Sequence, residues 1–576
     1  MSSRRAFLHN ISGTGLYLTL AGVSPGQRIS KPARIQSRCR QVHQFELAGK
    51  PGVANPYRDA RLTGTFVSPS EKSISVEGFY CGEDRWKLRF VPEEQGEYRY
   101  TLRGEGTAVF QEGRLMASSP REKGFIRIHP QNPYAFAYSD GTAFFPMGDT
   151  CYGLYDDTPV TPELRRLYLD TRRAQHFNFV RMSIQHSPYR AKAEPEFWPW
   201  GGTPQAPDYD RFNPVFFGNL EAVLDQMRIR GMNVELILFN LNLAPFNNPE
   251  VWTRARQQTW LRHIVARVAS FPNLFLWTVA NEYERYPDGK YRLDRDQDTE
   301  WANFVAHQMR ELDPYGHPVT VHPVISSSTR GTSTSDPFDP PWRIGGFFGK
   351  SADINVLSQQ TSTAYRSTWD EPRQCWLGDA AGIEKGIEAD RVFNKPVLNT
   401  ENGYEYLAGY PTNRRQVYDT DRVRRASWRI VCAGGYFAAG FISTLAHSDV
   451  WDEIDRPNRY PFVVRDSGAG QQLGYLYQFF TRLPFWKMEP HPELAGGDGL
   501  CLVAPGEAYV IYLPHGRKIH LEPGISKASV ATRWFNPRTG QYQLAATSKP
   551  EEGYEPPDAE DWTLLLELKK ASNRSA

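Results

Sequence analysis

Residues 274–282 read Leu-Phe-Leu-Trp-Thr-Val-Ala-Asn-Glu. The run is mostly apolar and ends in a polar pair, Asn281 and Glu282, which is typical of a buried parallel strand whose carboxyl end reaches solvent. An amphipathic helix is predicted before it, at 252–269, and a further apolar strand before that helix, at 233–239. This alternation of strands and helices predicts a parallel sheet joined by helical crossovers.

The same alternation continues in both directions along the chain. Eight strands are predicted, at 144–148, 178–181, 233–239, 274–279, 319–322, 354–357, 396–399 and 436–444. Repeated strand–helix units of this number indicate a (β/α)8 TIM barrel, which we place at residues 130–485. The predicted fold class is therefore α/β.

Two small β-sandwich domains are predicted, one before and one after the barrel in the sequence. Short alternating strands, punctuated by Pro, Gly and Asp, predict an immunoglobulin-like sandwich at 40–125. A similar pattern returns after the barrel and predicts a C-terminal sandwich at 489–571.

The N-terminal segment, residues 1–30, has the pattern of an export signal. Arg4 and Arg5 precede a mildly apolar, glycine-containing run at 11–23, which is too short to span a membrane stably. This arrangement resembles a twin-arginine signal, so we expect export to the periplasm or the cell exterior. We expect no membrane span in the mature chain, because no other run has the required length and apolarity.

Composition excludes several classes of protein. Lys and Arg total 67 against 65 Asp and Glu, so the net charge of +2 gives no general attraction to nucleic acid. A hydrophobic content of 40% excludes a mostly disordered chain, and the 13% of aromatic residues suits β-rich domains and aromatic-lined clefts. The six cysteines form no CxxC pair and there is no HExxH motif, so we expect no metal and no other cofactor.

Two glutamates carry the predicted chemistry. In a TIM barrel, reactive groups lie at the carboxyl ends of the strands. Glu282 ends the fourth predicted strand and Glu401 the seventh, and these strands face each other across the barrel mouth. One carboxyl group of such a pair can protonate the leaving oxygen of a glycosidic bond, while the other attacks the anomeric carbon or activates water. The expected partner is therefore a carbohydrate substrate.

The chain resembles a known group of enzymes in several places. Asn281-Glu282 and Glu401 resemble the catalytic positions of the clan A glycoside hydrolases. Three further segments resemble the apiosidase-like barrel family: Gly148-Asp149-Thr150, Tyr209-Asp210-Arg211-Phe212-Asn213 and Asn399-Thr400-Glu401-Asn402-Gly403-Tyr404-Glu405. The N-terminal sandwich resembles a domain that often precedes such barrels. The segment 533–540 resembles a C-terminal domain named as a putative collagen-binding module.

The resemblance implies a retaining glycoside hydrolase with Glu282 as acid/base and Glu401 as nucleophile. A retaining enzyme has carboxyl groups about 5–5.5 Å apart, whereas a separation of roughly 6.5 Å or more indicates inversion. Apiosidases tend to have Gly-Asp where this chain has Asn281-Glu282, and glutamate reaches one methylene further. The resemblance therefore implies the reaction type and leaves the sugar open.

Further candidates for substrate binding are polar or aromatic residues at or just past the strand ends: Asn281, Arg181, Asp149, His322, Trp198 and Trp451. Arg181 could hold the nucleophile ionised through a charge-assisted hydrogen bond, or be structural. By resemblance, Asn281 binds the hydroxyl next to the reacting carbon. Asp149 binds a hydroxyl or caps a turn. Trp198 and Trp451 either stack on sugar faces or pack within loops.

Two alternatives to a hydrolase stay open from the sequence. A transglycosylase of the same fold would use the same carboxyl pair. A carbohydrate- or collagen-binding surface protein with a catalytically inactive barrel belongs to a different class. The presence of both Glu282 and Glu401 argues against it, because an inactive barrel need not keep the two residues.

Overall fold

The computed structural model of the protein describes residues 33–154, 160–185, 197–290, 296–323, 344–360, 368–370, 375–377, 380–405, 417–441, 468–520, 530–545 and 553–568. Two compact units are present, Met1–Glu122 and Lys123–Ala576. The predicted export signal and Trp451 lie outside the described residues. Within those ranges, no helix combines the length and the apolar character needed to cross a membrane.

The first unit is a β-sandwich, as the sequence predicted. Its strands are β1 Ala33–Arg38, β2 His43–Ala48, β3 Arg61–Val67, β4 Ser73–Glu77, β5 Phe79–Tyr80, β6 Arg85–Phe90, β7 Gly96–Glu105 and β8 Phe110–Ser118, with a short helix α1 Pro56–Asp59. One sheet has the order β1-β8-β7-β3-β4 and the other β2-β6-β5. Aromatic rings from both sheets fill the core, where Phe66 and Phe90 stack with centroids 3.8 Å apart.

The second unit opens with a small antiparallel sheet and continues into the barrel. Its strands as far as residue 441 are β9 Ile126–Ile128, β10 Phe136–Tyr138, β11 Ala143–Phe144, β12 Met147–Thr150, β13 Phe179–Ser183, β14 Trp200–Thr203, β15 Ala206–Phe212, β16 Asn233–Asn240, β17 Leu274–Asn281, β18 Val319–Thr320, β19 Leu357–Gln359, β20 Thr368–Asp370, β21 Cys375–Leu377, β22 Val397–Asn399, β23 Tyr404–Glu405, β24 Val417–Tyr418 and β25 Tyr436–Phe441. The hairpin predicted around Ser139-Asp140-Gly141 is formed by β10 and β11.

Eight parallel strands form the TIM barrel, which confirms the predicted fold class. Their spatial order is β18-β17-β16-β13-β12-β25-β22-β19. Between the two ends of this series, the amides of Asn355 and Val356 both donate to Val319 O, at 3.1 and 3.2 Å. Because one carbonyl receives both bonds, no regular ladder forms there. The sixth strand therefore begins at Leu357, later than the 354–357 predicted.

Helices follow the barrel strands in turn and cover the barrel. They are α2 Pro162–Ala174, α3 Pro214–Arg228, α4 Arg254–Val268, α5 Asp296–Leu312, α6 Ile344–Phe348, α7 Ile383–Arg391, α8 Thr420–Cys432 and α9 Gly468–Phe480. Helix α3 shows the local rules. Asn213 caps its first turn by accepting from Val215 N, Pro214 occupies its first position, and the apolar stripe that includes Leu220 and Leu224 is buried against the barrel.

The C-terminal strands form one six-stranded antiparallel sheet in the described part of the chain. They are β26 Glu489–Pro490, β27 Leu500–Ala504, β28 Ala508–Leu513, β29 Val530–Phe535, β30 Tyr542–Leu544 and β31 Trp562–Leu568, in the order β26-β27-β28-β31-β29-β30. One face of this sheet packs against helix α8, where Trp428 stacks on Tyr512 with centroids 5.3 Å apart. The barrel therefore supplies the second layer for that face.

A buried ion pair reinforces this contact. Arg424 on α8 donates to both carboxylate oxygens of Asp561, at 2.8 and 3.0 Å, and both side chains are fully buried. In the neighbouring pair the Glu560 side chain is 53% exposed, whereas that of its partner Arg425 is 10% exposed. The C-terminal sheet is thus attached to the barrel by an apolar core and by a desolvated charge pair.

We expect Asp561→Ala to destabilise the second unit by about 3 kcal/mol, because it leaves the buried guanidinium of Arg424 without its main counter-ion. Glu560→Ala is the matched control. Its expected cost is at most about 1 kcal/mol, because Glu560 is exposed and Arg425 keeps its hydrogen bond to the Pro514 carbonyl. Urea unfolding of both variants, followed by tryptophan fluorescence, measures the difference. Equal midpoints for the two variants would contradict this account of the interface.

Candidate active site

Arg181 connects several strands at the mouth of the barrel. Its side chain is fully buried. Nε donates to Glu235 on the third barrel strand at 3.3 Å, and Nη2 donates to Asn281 Oδ1 at the end of the fourth at 2.6 Å. Nη1 donates to the hydroxyl of Tyr152, which follows the first strand. One guanidinium therefore holds side chains from three other strands in fixed positions.

Glu401, just past the seventh strand, lies against the same group. Its Oε2 accepts from the Tyr152 hydroxyl at 2.8 Å and is 3.4 Å from Arg181 Nη1. His322 Nε2, beyond the fifth strand, is 3.7 Å from the same oxygen. The Glu401 side chain is 11% exposed, so the carboxylate is held by donors on its inner side and still reaches the surface of the cleft.

A glycine allows the chain to turn after Glu401. Gly403 has a φ of 120°, a backbone conformation that favours glycine. A Cβ at this position would lie 1.5 Å from the ring of Tyr418. The Asn402-Gly403 step is therefore required by packing as well as by backbone conformation.

Glu282 lies at the end of the fourth strand in a left-handed conformation, with φ 51° and ψ 63°. This turn ends the strand and begins a short 3-10 helix, Tyr283–Arg285. The turn also brings Arg285 back onto Glu282, where Nε donates to Oε2 at 2.6 Å. The Glu282 side chain is 14% exposed, which is close to the exposure of Glu401.

Burial sets the charge states of the groups around Glu401. It raises the pKa of Tyr152 well above its ordinary value, with Arg181 opposing the shift, so the phenol stays protonated and can donate. Burial, together with Arg181, lowers the pKa of His322 well below its ordinary value, so the imidazole is neutral at neutral pH. Burial also raises the pKa of Glu235, and the charge of Arg181 opposes that rise.

The structure brings together four of the residues that the sequence singled out: Glu401, Asn281, Arg181 and His322. Glu282 follows Asn281 directly in the chain. Asp149 does not join them. Its fully buried carboxylate accepts from Tyr168 at 2.8 Å and from Arg172 at 2.6 Å, both on helix α2. Burial raises the pKa of Asp149, and Arg172 opposes the shift.

Trp198 is also placed away from an open sugar-binding surface. Only 4% of the residue is exposed, and its ring packs edge-on against Trp200 with centroids 5.0 Å apart. Trp200 in turn contacts Tyr209, Phe246, Trp252 and Trp260. The structure therefore places Trp198 in an aromatic core beside the β14–β15 hairpin.

Sequence reasoning did not identify three residues of the site: Tyr152, Glu235 and Arg285. Glu235 had a signal, because a lone carboxylate inside the apolar run 233–239 needs a buried partner. Tyr152 lies two residues beyond Thr150 and so shares its face of the strand. Arg285 lies three residues after Glu282, and its pairing depends on the turn at Glu282, which no pattern in the sequence indicates.

Three family profiles match separate parts of the chain. The family profile described as "Apiosidase-like, catalytic domain" matches residues 130–487, well over half of the chain. Residues 38–104 match a "Domain of unknown function (DUF5060)". Residues 500–567 match a "Putative collagen-binding domain of a collagenase". Curated protein sequences contain no match to this chain.

Solved structures share the fold at low sequence identity. A putative glycoside hydrolase from Bacteroides vulgatus ATCC 8482 aligns with a TM-score of 0.68 and 19% identity. The alignment covers 93% of this chain and 100% of the other. A glycoside hydrolase family 5 protein from the same strain aligns with a TM-score of 0.55 and 15% identity, covering 79% of this chain and 95% of the other.

The match to the family profile spans the whole barrel, and the two glutamates that end its fourth and seventh strands lie where barrel enzymes hold their reactive groups. The chain belongs to the apiosidase-like family of glycoside hydrolases.

Proposed function

We propose that this protein is an exported glycoside hydrolase that cleaves a polysaccharide or oligosaccharide with retention of anomeric configuration. Glu401 is the nucleophile and Glu282 the acid/base. The arrangement around Glu401 carries the proposal. Tyr152 and Arg181 both contact one carboxylate oxygen, and Arg181 also donates to Asn281, the neighbour of Glu282.

The donors on Glu401 suit a nucleophile. The Tyr152 hydroxyl donates to Glu401, and Arg181 Nη1 lies 3.4 Å from the same oxygen, so both groups face the carboxylate that attacks. In the first step Glu401 forms a bond to the anomeric carbon while the glycosidic bond breaks, and the leaving oxygen takes a proton from Glu282. In the second step Glu282 takes a proton from water. The water oxygen bonds to the anomeric carbon while the bond between that carbon and Glu401 breaks.

Arg285 suits the intermediate state of this reaction. Glu282 has lost its proton once the glycosyl-enzyme has formed, and Arg285 Nε, 2.6 Å from Glu282 Oε2, can pair with the carboxylate of that state. The ion pair therefore stabilises Glu282 as the base of the second step. It must open when Glu282 is protonated again for the next cycle.

Asn281 and His322 are proposed to contact the sugar. Arg181 fixes the Oδ1 of Asn281, which leaves the amide N–H groups of that side chain to face a ligand. His322 lies beside Glu401 and is neutral, so it can donate or accept a hydrogen bond without adding charge.

We expect Glu282→Ala and Glu401→Ala each to reduce kcat by at least about 10²–10⁴-fold on any glycoside that the wild type cleaves, because each removes a group that takes part in bond breaking. The measurement is turnover on a panel of α- and β-linked aryl glycosides and polysaccharides. Glu300→Ala, an exposed glutamate on α5, is the control and should retain full activity.

Azide distinguishes the two roles. It should rescue Glu282→Ala with a glycosyl azide of retained configuration, and Glu401→Ala with one of inverted configuration. Substantial activity in both alanine variants would show that the pair is wrongly assigned. A hydrolysis product of inverted configuration from the wild type would exclude the retaining mechanism.

Tyr152→Phe is expected to lower kcat by about 10–150-fold, because a hydrogen bond to a charged group contributes about 1.5–3 kcal/mol. Tyr168→Phe removes an equally buried phenol that donates to a carboxylate at 2.8 Å, but on the far side of the first strand. It should lower the thermal midpoint and leave kcat within about twofold. Similar losses of kcat in both variants would indicate that Tyr152 acts only through stability.

Replacing Arg4 and Arg5 together with lysine should hold the protein in the cytoplasm, because the two arginines form the part of the signal that the export machinery reads. Cell fractionation of a bacterium with a twin-arginine pathway, followed by immunoblotting, measures the distribution. Arg34→Lys with Arg38→Lys, on β1, is the matched control. Export of both variants would contradict a twin-arginine signal.

A further inference from the structure

The fifth and sixth barrel strands carry polar residues that face the barrel interior and do not bond to Arg181. Thr320 Oγ1 donates to Ser358 Oγ at 2.9 Å. Thr320 is paired in register with Thr278, which itself donates to Glu235, so this face of both strands points into the barrel. The interior therefore has a polar layer directly below the site.

His322 and Gln360 lie two residues further along these strands and so share the same face. Backbone bonds hold His322 and the residue that precedes Gln360 in the sheet. The amide of His322 donates to Ala280 O at 3.3 Å, and the carbonyl of Gln359 accepts from Thr400 N at 3.0 Å. The two side chains therefore form the next layer, which is closer to the barrel mouth.

Both side chains are buried, and three of their polar atoms have no hydrogen-bond partner in the described ranges. His322 is 0% and Gln360 4% exposed. Neither ring nitrogen of His322, nor Oε1 of Gln360, has a partner among the described residues. A buried polar group without a partner costs about 1–3 kcal/mol of stability. Each of these two side chains therefore calls for a functional explanation.

Gln359 shows how the same residue type behaves one position earlier. Its side chain points out of the barrel, and Nε2 donates to Gly386 O at 2.7 Å and to Asp390 Oδ2 at 2.6 Å. The chain therefore provides acceptors for the amide of Gln359 on helix α7. The Oε1 atoms of Gln359 and Gln360 both lack a donor in the described ranges, but only the Gln359 side chain is anchored to that helix.

The position of His322 indicates which part of a substrate would meet this pair. Nε2 lies 3.7 Å from Glu401 Oε2, so a group bound by His322 belongs to the sugar whose anomeric carbon Glu401 attacks. A neutral imidazole and an amide can both donate and accept, which matches an alcohol hydroxyl. A sugar carboxylate would be favoured by a cation facing it. Among the described residues of the site, the two guanidinium groups, those of Arg181 and Arg285, already pair with carboxylates.

We propose that Gln360 and His322 together bind one hydroxyl group of the sugar attacked by Glu401, and that this sugar is neutral rather than a uronic acid. The inference rests on the proposed function, since it assigns the specificity of the same site. Gln360 is then a substrate-binding residue that determines specificity.

The first test compares substrates that differ by one hydroxyl. An aryl glycoside cleaved by the wild type is measured beside each of its monodeoxy analogues and beside the matching glycuronide. One deoxy analogue should lose about 100-fold or more in kcat/KM, because a site built around a hydroxyl rejects the compound that lacks it. Gln360→Ala should lower kcat/KM for the parent glycoside and add little further loss for that analogue.

Gln359→Ala is the matched control. It should lower the thermal midpoint and keep the wild-type discrimination against the deoxy analogue. If Gln360→Ala discriminates among all the analogues as the wild type does, Gln360 does not bind the hydroxyl. If the glycuronide is cleaved as fast as the neutral parent, the assignment of a neutral sugar is wrong.

A binding measurement separates this inference from the proposed function. Ligand-detected NMR with a panel of neutral monosaccharides and their uronic acids requires no turnover. At least one neutral sugar should bind wild type and Gln359→Ala alike, and about tenfold more weakly to Gln360→Ala. Such binding without any turnover would refute the proposed hydrolase and support the inference. Binding that is unaffected by Gln360→Ala, or a preference for uronic acids, would overturn the inference.

Discussion

A fully buried guanidinium is the constraint on which the site depends. Taking a charge out of water costs several kcal/mol unless nearby groups compensate for it, so Arg181 requires acceptors on every side. They come from different parts of the barrel: Glu235, Tyr152, Asn281 and Glu401. Because Glu235 engages Nε, the two terminal nitrogens of Arg181 face the mouth of the barrel. The same contacts that compensate for the buried charge also fix the orientation of the Glu401 carboxylate.

The two glutamates differ in how they are held. Glu401 is surrounded by groups from other strands, so its position follows from the barrel itself. Glu282 is held locally, by a left-handed turn and by an arginine three residues away. This difference suits the roles that we propose. An acid/base that gives up and recovers a proton in each cycle benefits from a partner that can separate from it, and a nucleophile benefits from a rigid environment.

Aromatic residues in this protein mainly build cores. Their abundance in the sequence suggested aromatic-lined clefts, yet Trp200, Trp260, Trp277 and Trp428 are all fully buried. Trp428 contributes to the layer between the barrel and the C-terminal sheet, beside the buried pair of Arg424 and Asp561. The match of this sheet to a domain named for collagen binding therefore coexists with a structural role for one of its faces.

The sequence by itself determined the eight strand–helix units, the flanking β-rich segments and the two glutamates, because burial patterns and strand ends are local properties of the chain. Only the tertiary structure decided which side chains meet. The alternation of side chains sends Asp149 to helix α2, whereas Tyr152 reaches Glu401. Packing around Trp200 buries Trp198. These outcomes depend on contacts between residues far apart in the chain, and a single sequence contains no local pattern that fixes such contacts.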